Sequence, residues 1–399
     1  MDRKKILLVA EVVTLAHLAR PLALAQMLDP QRYEAHLASV PGYDGFFAGS
    51  ALRRWAIRSI SSAQFLAALA AGKPVYDVAT LESYVEEDLR LLRQLRPDVV
   101  IGDFRLSLSV SARLSGTPYV ALGNAYWSPY VRLRYPVPDI GLSHALPLPL
   151  ADALFRMVRP LLFALHTVPL NRVRRHHGLA SLGWDVRRTY TDGDRTLYAD
   201  IPELFPAREL PDSHSYLGPV TWSPPLAAPP WWDSVPQGRP VVYVTLGSSG
   251  QGILLPAVLR ALAPLPVTVL AATAGRVELE TVPANALVAA FLPGEAAARR
   301  ASLVICNGGS PTSQQALAAG VPVLGIASNL DQFLNMGAIV AAGAGQLLRA
   351  DRFDELALRA AVAFLLDSRA AAAAAMRIAQ LFQLYQPGAR LQAVLQQLV

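Results

Sequence analysis

The feature that most constrains this chain is a series of short apolar runs closed by turn residues and separated by helix-like stretches. The runs are Ile6–Ala10, Val99–Ile101, Tyr119–Leu122, Val241–Leu246, Val267–Ala271, Leu287–Leu292, Leu303–Cys306 and Val323–Ile326. They are rich in Val, Ile and Leu and do not alternate apolar with polar. A strand with one wet face alternates; a strand covered on both faces, as in a parallel sheet between helices, does not. Helix-like stretches such as Leu81–Leu95 and Leu255–Ala263 lie between them. Strand and helix in alternation imply parallel sheets. The rhythm fades from about Pro136 to Arg188 and restarts at Arg239. Between Pro219 and Pro240, Pro224, Pro225, Pro229 and Pro230 stand beside three tryptophans, which reads as a stiff linker. The pattern predicts an α/β domain over 1–220, a linker over 221–237, a second α/β domain over 238–372 and a helical tail over 373–399.

Composition agrees with large cores. Of 399 residues, 53% are hydrophobic and 17% charged, against about 25% charged in an average soluble domain. That excludes disorder, and a single cysteine, Cys306, excludes a disulfide scaffold. The N-terminal run Ile6–Ala10 is cut short by Glu11, whereas a secretory core needs about 7–15 apolar residues. No uncharged stretch is long and apolar enough to span a bilayer, so a cytoplasmic protein is expected. The net charge of +6 allows weak attraction to an anionic substrate or membrane surface. The one basic cluster, Arg172, Arg174, Arg175, His176 and His177, reads as a solvated helix face, and nucleic acid is not expected as a partner.

The richest stretch runs from Leu303 to Gly345. An apolar strand ends at Cys306, and Asn307, Gly308 and Gly309 follow. Ser310 suits an N-cap, Pro311 the first helical position, and Gly320 a C-terminal stop. Two glycines let a ligand approach the backbone, and the free N–H groups of a helix start suit a phosphate.

Asn307-Gly-Gly-Ser-Pro-Thr-Ser-Gln-Gln315-Ala-Leu, then Gly320-Val-Pro-Val, then Asp331-Gln332-Phe-Leu-Asn335 resembles the nucleotide-sugar signature of the UDP-glycosyltransferase superfamily, which includes macrolide and flavonoid glycosyltransferases. The resemblance implies a GT-B fold: two Rossmann-like, doubly wound parallel-sheet domains facing a central cleft, with a C-terminal helix returning to the N-terminal domain. It also implies that Gly308, Gly309, Ser310 and Thr312 line the diphosphate and that Asp331 and Gln332 bind sugar hydroxyls. Phe291 would stack on the base, and Gly247, Ser248 and Ser249 would face the diphosphate from its other side. Three residues depart from the family pattern. Asn307 replaces a histidine that contacts the diphosphate, Gln315 replaces a glutamate that holds the ribose, and Pro311 removes a backbone donor. The two amides keep hydrogen-bonding capacity but carry no charge.

In the first half, Thr14-Leu-Ala-His17-Leu-Ala-Arg-Pro21 resembles the family segment that carries the general base, with one extra residue before Pro21. The resemblance makes His17 the base for an acceptor hydroxyl. Asp103, in Arg96-Pro-Asp-Val-Val-Ile-Gly-Asp103, would orient it. A histidine suits the task because its ordinary pKa lies near 6.5. Strand ends in a parallel sheet converge on one crevice, so residues far apart in sequence can meet there. Tyr126, Trp127 and Tyr130, with the apolar stretch Leu146–Leu170, are expected to wall an acceptor pocket. A hydrophobic acceptor follows: polyketide, terpenoid, phenolic or lipid. Asp192-Gly-Asp194 reads as a turn rather than a metal site.

The resemblance therefore implies an inverting, metal-independent hexosyltransferase without a cofactor, using a UDP- or dTDP-sugar. The protein would be a monomer or homodimer. Two alternatives stand beside it: a lipid glycosyltransferase at the membrane surface, using Leu146–Leu170 and the Arg174 cluster, and a non-catalytic pseudo-glycosyltransferase.

Overall fold

The computed structural model describes residues 3–47, 50, 52–247 and 251–399. It divides into two compact units, the first built from Met1–Leu133, Ala153–Val220 and Tyr385–Val399, the second from Arg134–Asp152 and Thr221–Leu384. The first is therefore not the continuous 1–220 expected. Arg134–Asp152 groups with the second unit, where the β/α rhythm of the sequence faded. The tail also divides: helix Arg369–Gln383 stays with the second unit and helix Pro387–Leu398 joins the first.

The first unit holds strands β1 (Lys4–Ala10), β2 (Tyr33–Ser39), β3 (Arg53–Ala56), β4 (Val99–Asp103), β5 (Tyr119–Gly123), β6 (Arg195–Tyr198) and β7 (His214–Tyr216). They form one parallel sheet in the order β3-β2-β1-β4-β5-β6-β7. The second unit holds β8 (Val241–Thr245), β9 (Thr268–Ala272), β10 (Ala286–Ala289), β11 (Leu303–Cys306), β12 (Val323–Ala327) and β13 (Gly345–Arg349). Their order is β10-β9-β8-β11-β12-β13, again all parallel. Both sheets are doubly wound, so each has a point where the strand order reverses: between β1 and β4, and between β8 and β11. Loops leaving the carboxyl ends of such a pair splay apart, which makes the crevice where open α/β sheets bind ligands.

The central strands are the apolar runs of the sequence, and their side chains are almost fully buried. In the first unit Leu7, Val9, Val100 and Ala121 pack against Leu91, Leu92 and Leu95 of helix Val78–Leu95. In the second, Val242, Val244, Ile305 and Leu324 pack against Val258, Leu262 and Leu358. The segment read as a stiff linker is not free chain: Trp232 is buried beneath the Arg300 guanidinium. Helix Leu148–His176 is 29 residues long and contains Pro160 and Pro169. Among the described residues no helix is long and apolar enough to cross a membrane.

Candidate active site

At the first switch point β1 and β4 are neighbours, with Ala10 beside Asp103 in register. The chain leaving β1 turns through Thr14 into helix Ala16–Met27, which puts His17 in that helix's first turn. His17 Nδ1 lies 2.7 Å from Asp103 Oδ1 across 86 residues of sequence. Asp103 is fully enclosed while the imidazole keeps some exposure. With Nδ1–H donated to the carboxylate, Nε2 is the nitrogen left to accept a proton.

The pair is held by a residue the sequence reading did not single out. Arg20, one turn further along the helix, is buried and donates from Nε to Asp103 Oδ2 at 2.9 Å and from Nη2 to Oδ1 at 2.9 Å. Its Nη1 donates to Asn124 Oδ1. Asn124 Nδ2 in turn donates to Asp200 Oδ2 at 3.0 Å, which also accepts from the Ala125 amide. Burial works against the Arg20 charge, but the Asp103 carboxylate outweighs it and holds the guanidinium pKa above its usual value. Two carboxylates against one guanidinium leave this chain of groups one positive charge short of neutral. An imidazolium at His17 would complete it.

The residues after Asp103 lock the other face. Phe104 adopts φ +60°, a left-handed conformation that costs about 1–3 kcal/mol in a bulky residue. Its ring stacks on His17 at 5.0 Å. Arg105, fully buried, donates to Glu11, Glu87 and Asp88 and lies 3.8 Å over the Tyr84 ring. Asp103 and Arg105, anchored on either side, hold Phe104 in its strained conformation. Phe104 also touches Phe65, Tyr76 and Tyr190, and Tyr190 meets Trp127 edge-on at 5.3 Å.

The three aromatic residues expected at an acceptor pocket separate. Trp127 belongs to the aromatic group around Phe104. Tyr130 lines a cavity of about 940 Å3 with Pro160, Phe163, Trp184 and Arg187. Tyr126 is fully buried against Phe205 and offers a ligand no surface. Asp192 pairs with Arg113 and Arg174, and Asp194 accepts the Tyr119 amide, so both carboxylates of the Asp-Gly-Asp turn serve the fold.

At the second switch point the loops after β8 and β11 meet. Gly247 and Gly308 have φ +63° and +82°. A Cβ on Gly247 would come 3.2 Å from Asn307 Nδ2, and one on Gly308 only 2.7 Å from Met336 Cγ. Ser248 and Ser249 lie outside the described residues. Asn307 Oδ1 accepts the Gly309 amide at 3.0 Å, which spends this acceptor on shaping the turn. Helix Ser310–Ala318 is capped by Gly309 rather than Ser310, with Pro311 in its first turn. Asn335 Nδ2 donates to Gly308 O and to Ser313 Oγ, bracing the turn from behind. Thr312 is part-exposed and Ser310 buried. Burial pushes the Cys306 thiol up to about 12, so it stays protonated beneath the turn.

Phe291, in the loop after β10, is 41% exposed and lies against Gly275. Asp331 is part-exposed in the first turn of helix Leu330–Ala341. Two expected contacts are turned elsewhere. Gln315 Nε2 donates to Trp222 O at 2.7 Å and its Oε1 sits where a Cβ on Gly294 would be. Gln332 is buried and accepts the Ser328 and Asn329 amides as half of a capping box.

Comparison with known proteins shows the family. Residues 257–389 match the family described as erythromycin biosynthesis protein CIII-like, C-terminal domain. The chain is 56% identical to the PGL/p-HBAD biosynthesis rhamnosyltransferase of Mycobacterium tuberculosis, over 95% of this chain and 84% of that protein. It is 53% identical to a PGL/p-HBAD biosynthesis glycosyltransferase of the same species, over 95% and 89%. A protein of Mycobacterium bovis named inactive PGL/p-HBAD biosynthesis glycosyltransferase is 50% identical over 65% and 71%. Among solved structures, spinosyn rhamnosyltransferase SpnG superposes with a TM-score of 0.71 at 21% identity, covering 99% of this chain and 100% of that one. Glycosyltransferase VinC, in complex with dTDP, gives 0.69 at 20% identity, covering 99% of each. The chain belongs to the UDP-glycosyltransferase superfamily and is a hexosyl-transferring enzyme of GT-B fold.

Proposed function

We propose that this enzyme moves a deoxyhexose, rhamnose first among the candidates, from a dTDP or UDP carrier to a hydroxyl of a hydrophobic acceptor, inverting the anomeric configuration without metal or cofactor. The observation that carries the chemistry is the His17–Asp103 hydrogen bond at 2.7 Å, with the carboxylate enclosed and the imidazole accessible. His17 Nε2 takes the proton of the acceptor hydroxyl as its oxygen attacks the anomeric carbon. The bond from that carbon to the diphosphate oxygen breaks as the new one forms. The imidazolium completes the charge of the Asp103–Arg20–Asp200 chain. A single displacement on the face opposite the leaving group inverts the centre.

The departing diphosphate would be received by the start of helix Ser310–Ala318 around Thr312, with Gly308 and Gly309 letting it come close to the turn. Phe291 would stack on the base and Asp331 would accept from sugar hydroxyls. Rhamnose and a thymidine carrier draw support from the relative named a rhamnosyltransferase and from the SpnG structure with thymidine diphosphate. A hydrophobic acceptor draws support from the aromatic group beside His17.

The test is nucleotide release and product configuration with a panel of dTDP- and UDP-sugars and a water-soluble phenol. Release with a β-configured donor and an α-configured product, or the converse, is expected. No release from any donor would overturn the proposal, and retention of configuration would overturn the single displacement.

A further inference from the structure

Helix Leu148–His176 keeps an open face. Leu154, Met157, Leu161 and Leu165 recur every three or four residues, so they share one side of the helix. All four are exposed, Met157 by 77% and Leu161 by 64%, and none lines the cavity beside Tyr130. Isolated exposed leucines are ordinary, but a continuous stripe is not. Three and four residues on, the same face passes through Val168 to Arg172 and Arg175, both exposed. It is thus apolar for three turns and cationic at its end. Arg174, between them in sequence, is turned inward to Asp192 and Ser109 and takes no part. On the rim of the cavity Trp184 is 72% exposed, an indole left in water next to arginines 159 and 188.

The charge decides what can cover this face. A second copy laid parallel would set arginine on arginine. Laid antiparallel, it would set arginine on leucine, a cation buried without a partner. An anionic lipid surface satisfies both halves: the aliphatic stripe enters the acyl boundary, the guanidinium groups reach phosphates, and tryptophan favours the interface. We propose that this face docks the enzyme on an anionic lipid surface, where a hydrophobic acceptor is also held. The acceptor clause rests on the proposed function; the docking does not.

The experiment is sedimentation with vesicles of phosphatidylglycerol and phosphatidylcholine, and with phosphatidylcholine alone. Binding to the anionic vesicles, weakened by salt, is expected. Met157→Glu with Leu161→Glu should weaken it about tenfold or more, and Arg172→Gln with Arg175→Gln about tenfold. An unchanged melting temperature and unchanged calorimetric binding of dTDP show that the variants fold. Absence of binding to anionic vesicles, or binding undiminished in the glutamate variant, overturns the docking. So does a dimer in light scattering that the glutamate variant dissociates, which would give the face to a second copy. Vesicle binding without turnover of any donor would sink only the proposed function; turnover of a soluble phenol without vesicle binding would sink only the docking.

Discussion

The two switch points handle charge in opposite ways. Where β1 meets β4, charged side chains are packed beside His17: Asp103 and Arg20 in contact, and Asp200 linked to them through Asn124. Where β8 meets β11, the described side chains that shape the turn are amides and hydroxyls: Asn307, Ser313 and Asn335, with Gln315 and Gln332 tied to backbone. Under the proposed function, the difference follows from what each would hold. A general base gains a charge during the reaction and needs a fixed counter-charge waiting for it. A diphosphate arrives already charged and needs donors, which glycine-rich backbone and a helix start supply. Asn307 and Gln315, which depart from the family pattern, are each hydrogen-bonded within their own unit.

This contrast can be broken most severely at the base. His17→Ala should lower kcat by about 10²- to 10⁴-fold while leaving dTDP affinity, read by calorimetry, unchanged; undiminished turnover would move the base elsewhere. Next comes Arg20→Met, which leaves Asp103 buried without its cation. Denaturant unfolding should show a loss of about 3–5 kcal/mol. Arg20→Lys keeps the charge and should lose less; equal losses in both variants would show that the guanidinium fork, and not its charge, is what Asp103 needs. On the neutral side, Gly308→Ala meets both a positive φ and Met336. It should cost about 1–3 kcal/mol and abolish detectable dTDP binding.

Gln315→Glu would face Trp222 O with an acceptor instead of a donor, and should cost about 1–3 kcal/mol in thermal unfolding. The smallest effect falls on a second histidine. His214 lies on β7, and burial holds its pKa down to about 4. The folded protein keeps it neutral, while the unfolded chain protonates it near pH 6.5. Its contribution is therefore intact above about pH 6.5 and is lost as the pH falls toward about 4. His214→Gln should flatten the fall in melting temperature across that window; an unchanged slope would assign acid sensitivity to other groups.

What the sequence made legible follows burial. Strands covered on both faces announced themselves as apolar runs. The edge strands β3 and β13, and β2 beside the edge, did not, because they carry Glu34, Arg53, Arg54 and Gln346 toward solvent. His17 and Asp103 were legible through two short motifs, although the first carries one extra residue before Pro21. Arg20 was not, because its role exists only once β4 lies beside β1; 83 residues separate it from Asp103. Phe104 was hidden for a different reason: no residue type signals a positive φ in an aromatic. For Gln332 a local signal was present, since Asn329 followed by glutamine three residues on is a capping-box pattern. Tyr126 shows the limit of composition, which marks an aromatic segment but not which of its rings face inward. The basic cluster near residue 174 divides likewise. Glu82 bridges His176 and His177, Arg174 is buried, and Arg172 and Arg175 stay outside.

The division of the chain has a consequence for its biosynthesis. Helix Pro387–Leu398 leaves a ribosome long after helix Ala16–Met27, yet packs on it. Gly388 sits against Met27, and Arg390 donates to Tyr216 O. The unit that carries His17 is thus begun before the second unit and completed after it. A nascent chain holds the strands of that sheet by Tyr216, yet leaves the back of the helix bearing His17 uncovered until Pro387–Leu398 has emerged. Loss of Tyr385–Val399 therefore strikes the unit that holds His17 rather than the one that immediately precedes the cut.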